Sequence, residues 1–403
     1  MAYRLVFTTL AVFVIGYYFY IPIPPDAAEP WKLHVSAVVL RIVDDVSTIA
    51  DLLGFSRVNA TRATFDAVLH ATKYLQPELD RVKSTEDNFD GIKVRIYRPQ
   101  VSTNKLLPGV VYIHGGGWTL FNIDVYDPFT RALAIKTDAV VVSVDYRLAP
   151  EHIFPAAFED CVKATLFFLQ NAAKFGVDAT KIGVAGDSAG GNLAMAVSLY
   201  LGKENIQPKL NFQGLIYPAL QALDYNLSSY QEFDMPMRTT YTLVTKIGTI
   251  YYYNLYGFGG LQYSRYFYDN SHTTRETKKK YRKHVDPGTL PWQYKVDYND
   301  ENSSGNEEIA NKISQVIFNP YFAPLMATDE ELKLLPKTYL ITAQYDGLRD
   351  EGMILGNRLR GVNHPLVYKH WDGVDHGFMI VSFYESYWAG LQHFSSYIKE
   401  MSK

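Results

Sequence analysis

Ser188 stands in Gly186-Asp187-Ser188-Ala189-Gly190, a G-x-S-x-G spacing between the apolar run Ile182–Ala185 and a helical pattern, Asn192–Leu201. In that setting the glycines permit a strained strand-to-helix turn that lifts the serine hydroxyl clear of a sheet. The helix start behind it favours developing negative charge. A serine so placed is a candidate nucleophile for acyl transfer, although the pentapeptide alone also fits a plain strand–helix turn. Support comes from His114-Gly115-Gly116-Gly117-Trp118, which follows the run Gly109–Ile113. Successive glycines leave backbone N–H groups unshielded, as an oxyanion hole requires. Candidate oxyanion residues are therefore His114, Gly115, Gly116, Gly117 and Ala189.

A serine nucleophile needs a base and an orienting acid, in the chain order serine, acid, histidine. Asp346, in Gln344-Tyr345-Asp346-Gly347, follows the run Thr338–Thr342. His376, in Asp375-His376-Gly377-Phe378, comes after the run Leu366–Lys369. These two complete the candidate triad. Asp350, Asp375 and His370 compete for the same places. Asp350 falls further into the next helix, and Asp375 is poorly placed to bond the ring of its own neighbour. His34, His70 and His272 read as structural or solvated. The expected chemistry is attack by Ser188 with His376 taking its proton, then hydrolysis of the acyl-enzyme by water. Neither a metal nor an organic cofactor has a part in it.

Such residues must be carried by strand ends. Gly109–Ile113, Ala139–Val144, Ile182–Ala185 and Leu215–Tyr217 are short, β-branched and separated by helical patterns, which predicts an α/β protein with a parallel sheet covered on both faces. Val82–Pro99 alternates in the manner of paired strands. Trp31 to about Gln76 predicts one or two amphipathic helices. The spacing divides the chain into 1–24, a membrane anchor; 25–80, a helical cap segment; 81–223, the first part of the core; 224–319, a cap insertion; and 320–403, the second part of the core. The insertion is rich in tyrosine. Its run from Arg275 to Lys283 holds six cations and one acid, and reads as a solvated face.

Composition narrows the class further. The chain has 403 residues, 47% hydrophobic, so it can bury a large core and is not disordered. A net charge of −3 leaves no basic excess for a phosphate backbone, so no nucleic-acid partner is expected. The one cysteine, Cys161, excludes an internal disulfide and any cysteine zinc site or iron–sulfur cluster. Leu5–Ile23 is a run of 19 residues without charge, long enough as a helix to span a bilayer. The expectation is an uncleaved signal anchor through residues 5–23, with a removed signal peptide as its rival. Three sequons, at Asn59, Asn226 and Asn302, suit lumenal exposure and glycosylation.

Together these motifs carry a resemblance. His114–Trp118, Asp145–Pro150, Gly186–Asn192 and Asp375–Phe378 resemble the hormone-sensitive-lipase branch of the α/β-hydrolases. Leu215–Gln221, Ser229–Glu232 and the leader into Glu29-Pro30-Trp31 resemble its arylacetamide deacetylase family. The resemblance implies an α/β-hydrolase fold: a mostly parallel central sheet flanked by helices, capped by the N-terminal helices and the insertion. It implies a single-pass enzyme of the endoplasmic reticulum membrane, lumenal in its catalytic part. Its substrates would be small-molecule or lipid carboxylic esters and aryl amides. A neutral lipase or cholesteryl-ester hydrolase is the alternative within the class, and a non-catalytic hydrolase-fold binding module the alternative outside it. In family members a disulfide joins two cysteines whose matching positions here are Thr119 and Ala343, so no such bond is expected.

Overall fold

A computed structural model of the chain describes residues 2–72, 81–101, 105–236, 239–295 and 305–403. Its strands are β1 (Val82–Phe89), β2 (Ile92–Pro99), β3 (Leu107–Ile113), β4 (Val140–Val144), β5 (Val177–Asp187), β6 (Phe212–Ile216), β7 (Lys337–Tyr345) and β8 (Leu366–Asp375). They form one sheet in the order β1-β2-β4-β3-β5-β6-β7-β8. The first pair turns over Asp90-Gly91, both at positive φ (50° and 92°), which is the twist a two-residue hairpin needs. β2 then runs antiparallel to β4, and from β4 to β8 all neighbours are parallel.

Both faces of the sheet's central strands β3, β4, β5 and β6 are covered, which is why these read as apolar runs. Val111, Ile113, Val140 and Val142 face a core shared with α5 (Ala156–Gln170) and α6 (Ala189–Lys203). Their neighbours Val110, Tyr112 and Val141 face the opposite core, built on α4 (Asp127–Thr137) and the C-terminal helix Glu385–Met401. The parallel strands all point their carboxyl ends to one edge. Ligands of open α/β sheets bind at such edges.

Three N-terminal helices precede the sheet: α1 (Ala2–Phe19), α2 (Pro30–Leu52) and α3 (Arg57–Thr72). α1 stops at Phe19, short of the expected Ile23, ahead of Pro22, Pro24 and Pro25, which cannot continue a helix. Among the described residues no helix is long and apolar enough to cross a membrane. α3 is fastened over the turn after β3: Arg62 donates from Nε to the Thr119 carbonyl (2.7 Å) and from Nη2 to that of Ala149 (2.8 Å). Between β6 and β7 come α7 (Ser228–Glu232) and α8 (Lys246–Phe258), the latter lying over the sheet edge. The basic run is not wholly solvated, because Lys278 is buried and donates to the Asn270 carbonyl at 2.8 Å.

Cys161 is free and buried on α5. Dithiothreitol should therefore leave both the melting temperature and ester hydrolysis unchanged. A clear loss of either in reductant would reveal a disulfide that joins two molecules.

Candidate active site

Four loops meet at the carboxyl edge of the sheet. The turn after β5 supplies Ser188, whose backbone sits at φ 56°, ψ −121°, a conformation that non-glycine residues rarely adopt. Neighbouring strands hold it there. Ser188 N–H donates to the Ile216 carbonyl (2.8 Å), and its own carbonyl accepts from Ala219 N–H (3.2 Å). Asn192 Nδ2 ties the Ala219 and Phe322 carbonyls together at 2.9 Å each. Gly190 cannot carry a side chain, because a Cβ would collide with the carbonyl oxygens of Ile113 and His114. The G-x-S-x-G spacing is thus a packing demand as much as a turn signal.

Asp346 follows β7 directly and His376 follows β8. His376 Nδ1 donates to Asp346 Oδ2 at 2.8 Å, and Asp346 Oδ1 accepts the Leu348 N–H at 2.8 Å. Both groups are buried, Asp346 completely. A carboxylate can only accept, so Nδ1 carries a proton, and in the neutral ring Nε2 is the nitrogen left as acceptor. Ser188, Gly116, Gly117, Ala189 and His376 line one cavity. The competing residues are engaged elsewhere. Asp350 accepts from Ser229 N–H (2.7 Å) and pairs with Arg349. His370 bonds Thr342 and Tyr294. Asp375 is buried at the end of β8, and burial pushes its carboxyl well above the usual range.

The oxyanion loop corrects one expectation. Gly115 N–H is already taken, by Asp187 Oδ1 and Tyr126 Oη at 3.1 Å each, so it is not a free donor. His114 is not a donor to the cavity either. Its ring is fully buried against Tyr146, which holds it neutral with a pKa of about 4, and its Nδ1 bonds the Gly115 carbonyl. Among the described residues no acceptor takes the N–H groups of Gly116, Gly117 or Ala189. These three remain as candidate oxyanion donors. Gly116 sits at φ 111°, where a side chain would also strike the Leu120 carbonyl.

Asp187 was legible only as a filler of the serine motif, yet it organises the loop. Its carboxylate accepts Tyr112 Oη (2.8 Å), Tyr126 Oη (2.7 Å) and Gly115 N–H. Glu351 is a second such residue. It is fully buried, accepts the Leu220 N–H at 2.6 Å, and also bonds Gln221 and Tyr230. It thereby ties the helix that follows Asp346 to the loop that clasps Ser188. No local motif announces either role.

Burial raises the Glu351 carboxyl from its usual 4.5 to about 8. The folded chain then holds a proton that the unfolded chain has lost. This group's contribution to stability is full below pH 4.5 and is lost as pH rises through about 8. Glu351→Gln removes that dependence. The melting temperature of the variant relative to wild type should therefore climb steadily between those limits. A difference that stays flat with pH would show that Glu351 is ionised throughout.

Two apolar spaces flank His376. The one holding Ser188 is lined by Tyr252, Tyr253, Thr249 and Leu348 and has a volume of about 60 Å³. The other is a groove of about 380 Å³ between α2, α3 and residues 380–383, and it reaches Asp375, His376 and Gly377. The tyrosines of α8 divide accordingly: Tyr252 and Tyr253 wall the cavity, whereas Tyr256 is core, stacked on Trp118 at 4.6 Å. Of the sequons, Asn59 is exposed, Asn226 is half-buried and Asn302 lies outside the described residues.

Comparison with known proteins agrees with this geometry. A family profile described as alpha/beta hydrolase fold matches residues 110–262 and 297–380. Arylacetamide deacetylase of Mus musculus is 38% identical over 91% of this chain and 92% of its own. Neutral cholesterol ester hydrolase 1 of Bos taurus is 34% identical over 98% of this chain and 97% of its own. Among solved structures, a hyperthermophilic esterase from Pyrobaculum calidifontis superposes with a TM-score of 0.68 at 28% identity, covering 95% of this chain and 99% of that one. Serine elbow, glycine loop, acid and histidine stand at the carboxyl ends of β5, β3, β7 and β8, and the chain belongs to the α/β-hydrolase-fold family, alongside arylacetamide deacetylase and neutral cholesterol ester hydrolase 1.

Proposed function

We propose that the chain cleaves carboxylic esters and aryl amides through an acyl-enzyme on Ser188. It is a carboxylic ester hydrolase, and the observation that carries the mechanism is the His376–Asp346 pair beside Ser188 in one cavity. His376 Nε2 takes the serine proton during attack, and Asp346 steadies the imidazolium. Gly116, Gly117 and Ala189 N–H groups receive the oxyanion. His376 then hands its proton to the leaving oxygen or nitrogen, and water repeats the sequence on the acyl-enzyme.

The two spaces assign the halves of the substrate. The leaving group must lie beside His376, which protonates it, and away from the oxyanion donors. The groove touches His376 and none of those donors, so it takes the leaving alcohol or amine. The acyl group is left with the smaller cavity, at about 60 Å³ well below the ~150 Å³ that accepts benzene. A short acyl group on a bulky apolar alcohol or arylamine fits best. The groove would also accept a fatty chain, which is what favours the lipase or cholesteryl-ester reading.

Isomeric esters separate these readings. Hexyl acetate should exceed ethyl hexanoate in kcat/KM by about tenfold or more, since each methylene buried in the groove is worth ~0.8 kcal/mol. The reverse order would put the acyl chain in the groove and favour the lipase reading. We further propose attachment to the endoplasmic reticulum membrane through the charge-free run 5–23, with the hydrolase body lumenal. The exposed Asn59 sequon and the exposed Phe7 and Phe13 of α1 support this.

A further inference from the structure

α2 inverts the usual arrangement of a surface helix. Between Trp31 and Ile49 every exposed residue is apolar: Trp31, Val35, Ile42, Val46 and Ile49. Their spacing of three, four or seven residues places them in a single stripe along the helix. Leu53 and Phe55 extend it, 69% and 67% exposed. Apart from Asp51, exposed at the end of the helix, the charges of α2 are meanwhile tied up. Lys32 pairs with Glu29 (2.6 Å), Asp44 pairs with Arg57 (2.5 Å), Arg41 is buried, and Asp45 accepts the hydroxyls of Tyr17 (3.0 Å) and Tyr18 (2.9 Å) on α1. Those last bonds set α1 beside α2. Phe7 and Phe13 of α1 are themselves 76% and 72% exposed. Both helices thus expose large apolar side chains, an extent that monomers seldom leave to water.

The same stripe forms the mouth of the groove. Trp31 and Val35 belong to both, Val39 and Leu40 continue inward, and the far end is His376. Across the mouth, Phe383 packs on Trp31 with ring centroids 6.3 Å apart. Trp31 therefore stands where an aromatic ring suits a membrane interface, with apolar surface on one side and the groove on the other.

We propose that the outer face of α2 rests on a phospholipid bilayer, so that the leaving-group groove opens into the membrane and draws apolar esters from it without passage through water. A bilayer is the fitting occupant, because the neighbouring helix lies mostly within a 19-residue run without charge, Leu5–Ile23. The stripe holds no cation, so the contact is apolar and indifferent to anionic lipid. The choice of substrate source rests on the hydrolase reading, while the seating of α2 does not.

The test uses the full chain in phosphatidylcholine vesicles. Ile42→Glu/Ile49→Glu alters the stripe and leaves the groove lining intact. Hydrolysis of water-soluble p-nitrophenyl acetate should be unchanged, which reports folding and the hydrolase reading separately. Hydrolysis of hexadecyl acetate dissolved in the vesicles should fall by about tenfold or more, given the cost of placing charge in a bilayer. The buried Cys161 permits a second measurement on Ile42→Cys carrying a nitrobenzoxadiazole label. Its emission should shift to the blue on vesicles and be quenched by spin-labelled lipid, equally with and without phosphatidylserine. A label that stays in water on vesicle-bound protein would overturn the proposal. So would a label buried before vesicles are added, with cross-linking through the stripe, since a second copy would then cover it. Equal loss of both activities in the double variant would also count against it.

Discussion

Ser188→Ala is expected to lower kcat for ester hydrolysis by about 10⁶-fold, the scale found when an activated serine is removed from such a triad. The alanine keeps the turn, because its Cβ occupies the place of the serine Cβ at the same positive φ. Backbone bonds from Ser188 to Ile216 and Ala219 involve no side-chain atom and survive. Melting temperature should therefore match wild type while p-nitrophenyl acetate turnover collapses. Residual catalysis, roughly 10³–10⁴ over water, would come from binding and the oxyanion donors. Retention of more than a small fraction of wild-type turnover by a folded variant would show that another group is the nucleophile.

Asp346→Asn should cost about 10⁴ in kcat, through the tautomer and not through packing. In the wild type Asp346 Oδ2 accepts Nδ1–H, and Oδ1 is held by Leu348 N–H. An amide that keeps the Leu348 bond presents its NH₂ to the ring, which then takes up the other tautomer. Nε2 would carry the proton and could no longer receive one from Ser188. Asp350 cannot substitute, since Arg349 and Ser229 already hold it. Asp375→Asn should have a far smaller effect on kcat, because its carboxyl makes no bond to the His376 ring. Equal losses in the two variants would mean that the acid had been misassigned.

How much of this was legible in the sequence follows from how local each feature is. Serine elbow, glycine loop and acid each lie close after a short apolar run, and the histidine lies further on, past the end of β8. The core strands could be found because burial on both faces removes polar residues from them. β8 is longer than its apolar run, continuing through Lys369-His370-Trp371-Asp372 to Asp375, since its outer side chains are solvated and break the pattern. Gly115 was misjudged for a different reason. Its N–H is taken by Asp187 and Tyr126, residues far from it in the chain, and no spacing rule registers such a contact. The same holds for Glu351, which meets the Ser188 loop only through folding. The groove is built from α2, α3 and residues 380–383, so its shape could not be read from any segment alone. α1 ended early because the prolines after Phe19 outweigh the continuing apolar run.

The most direct test of the account is where an activated-serine reagent attaches. A fluorophosphonate should add once per chain, and peptide mass spectrometry should place the adduct on Ser188. The Ser188→Ala protein should take up none, and His376→Ala should label far more slowly because the hydroxyl has lost its base. An adduct on a different residue, or no adduct on folded wild-type protein, would contradict an acyl-enzyme at Ser188.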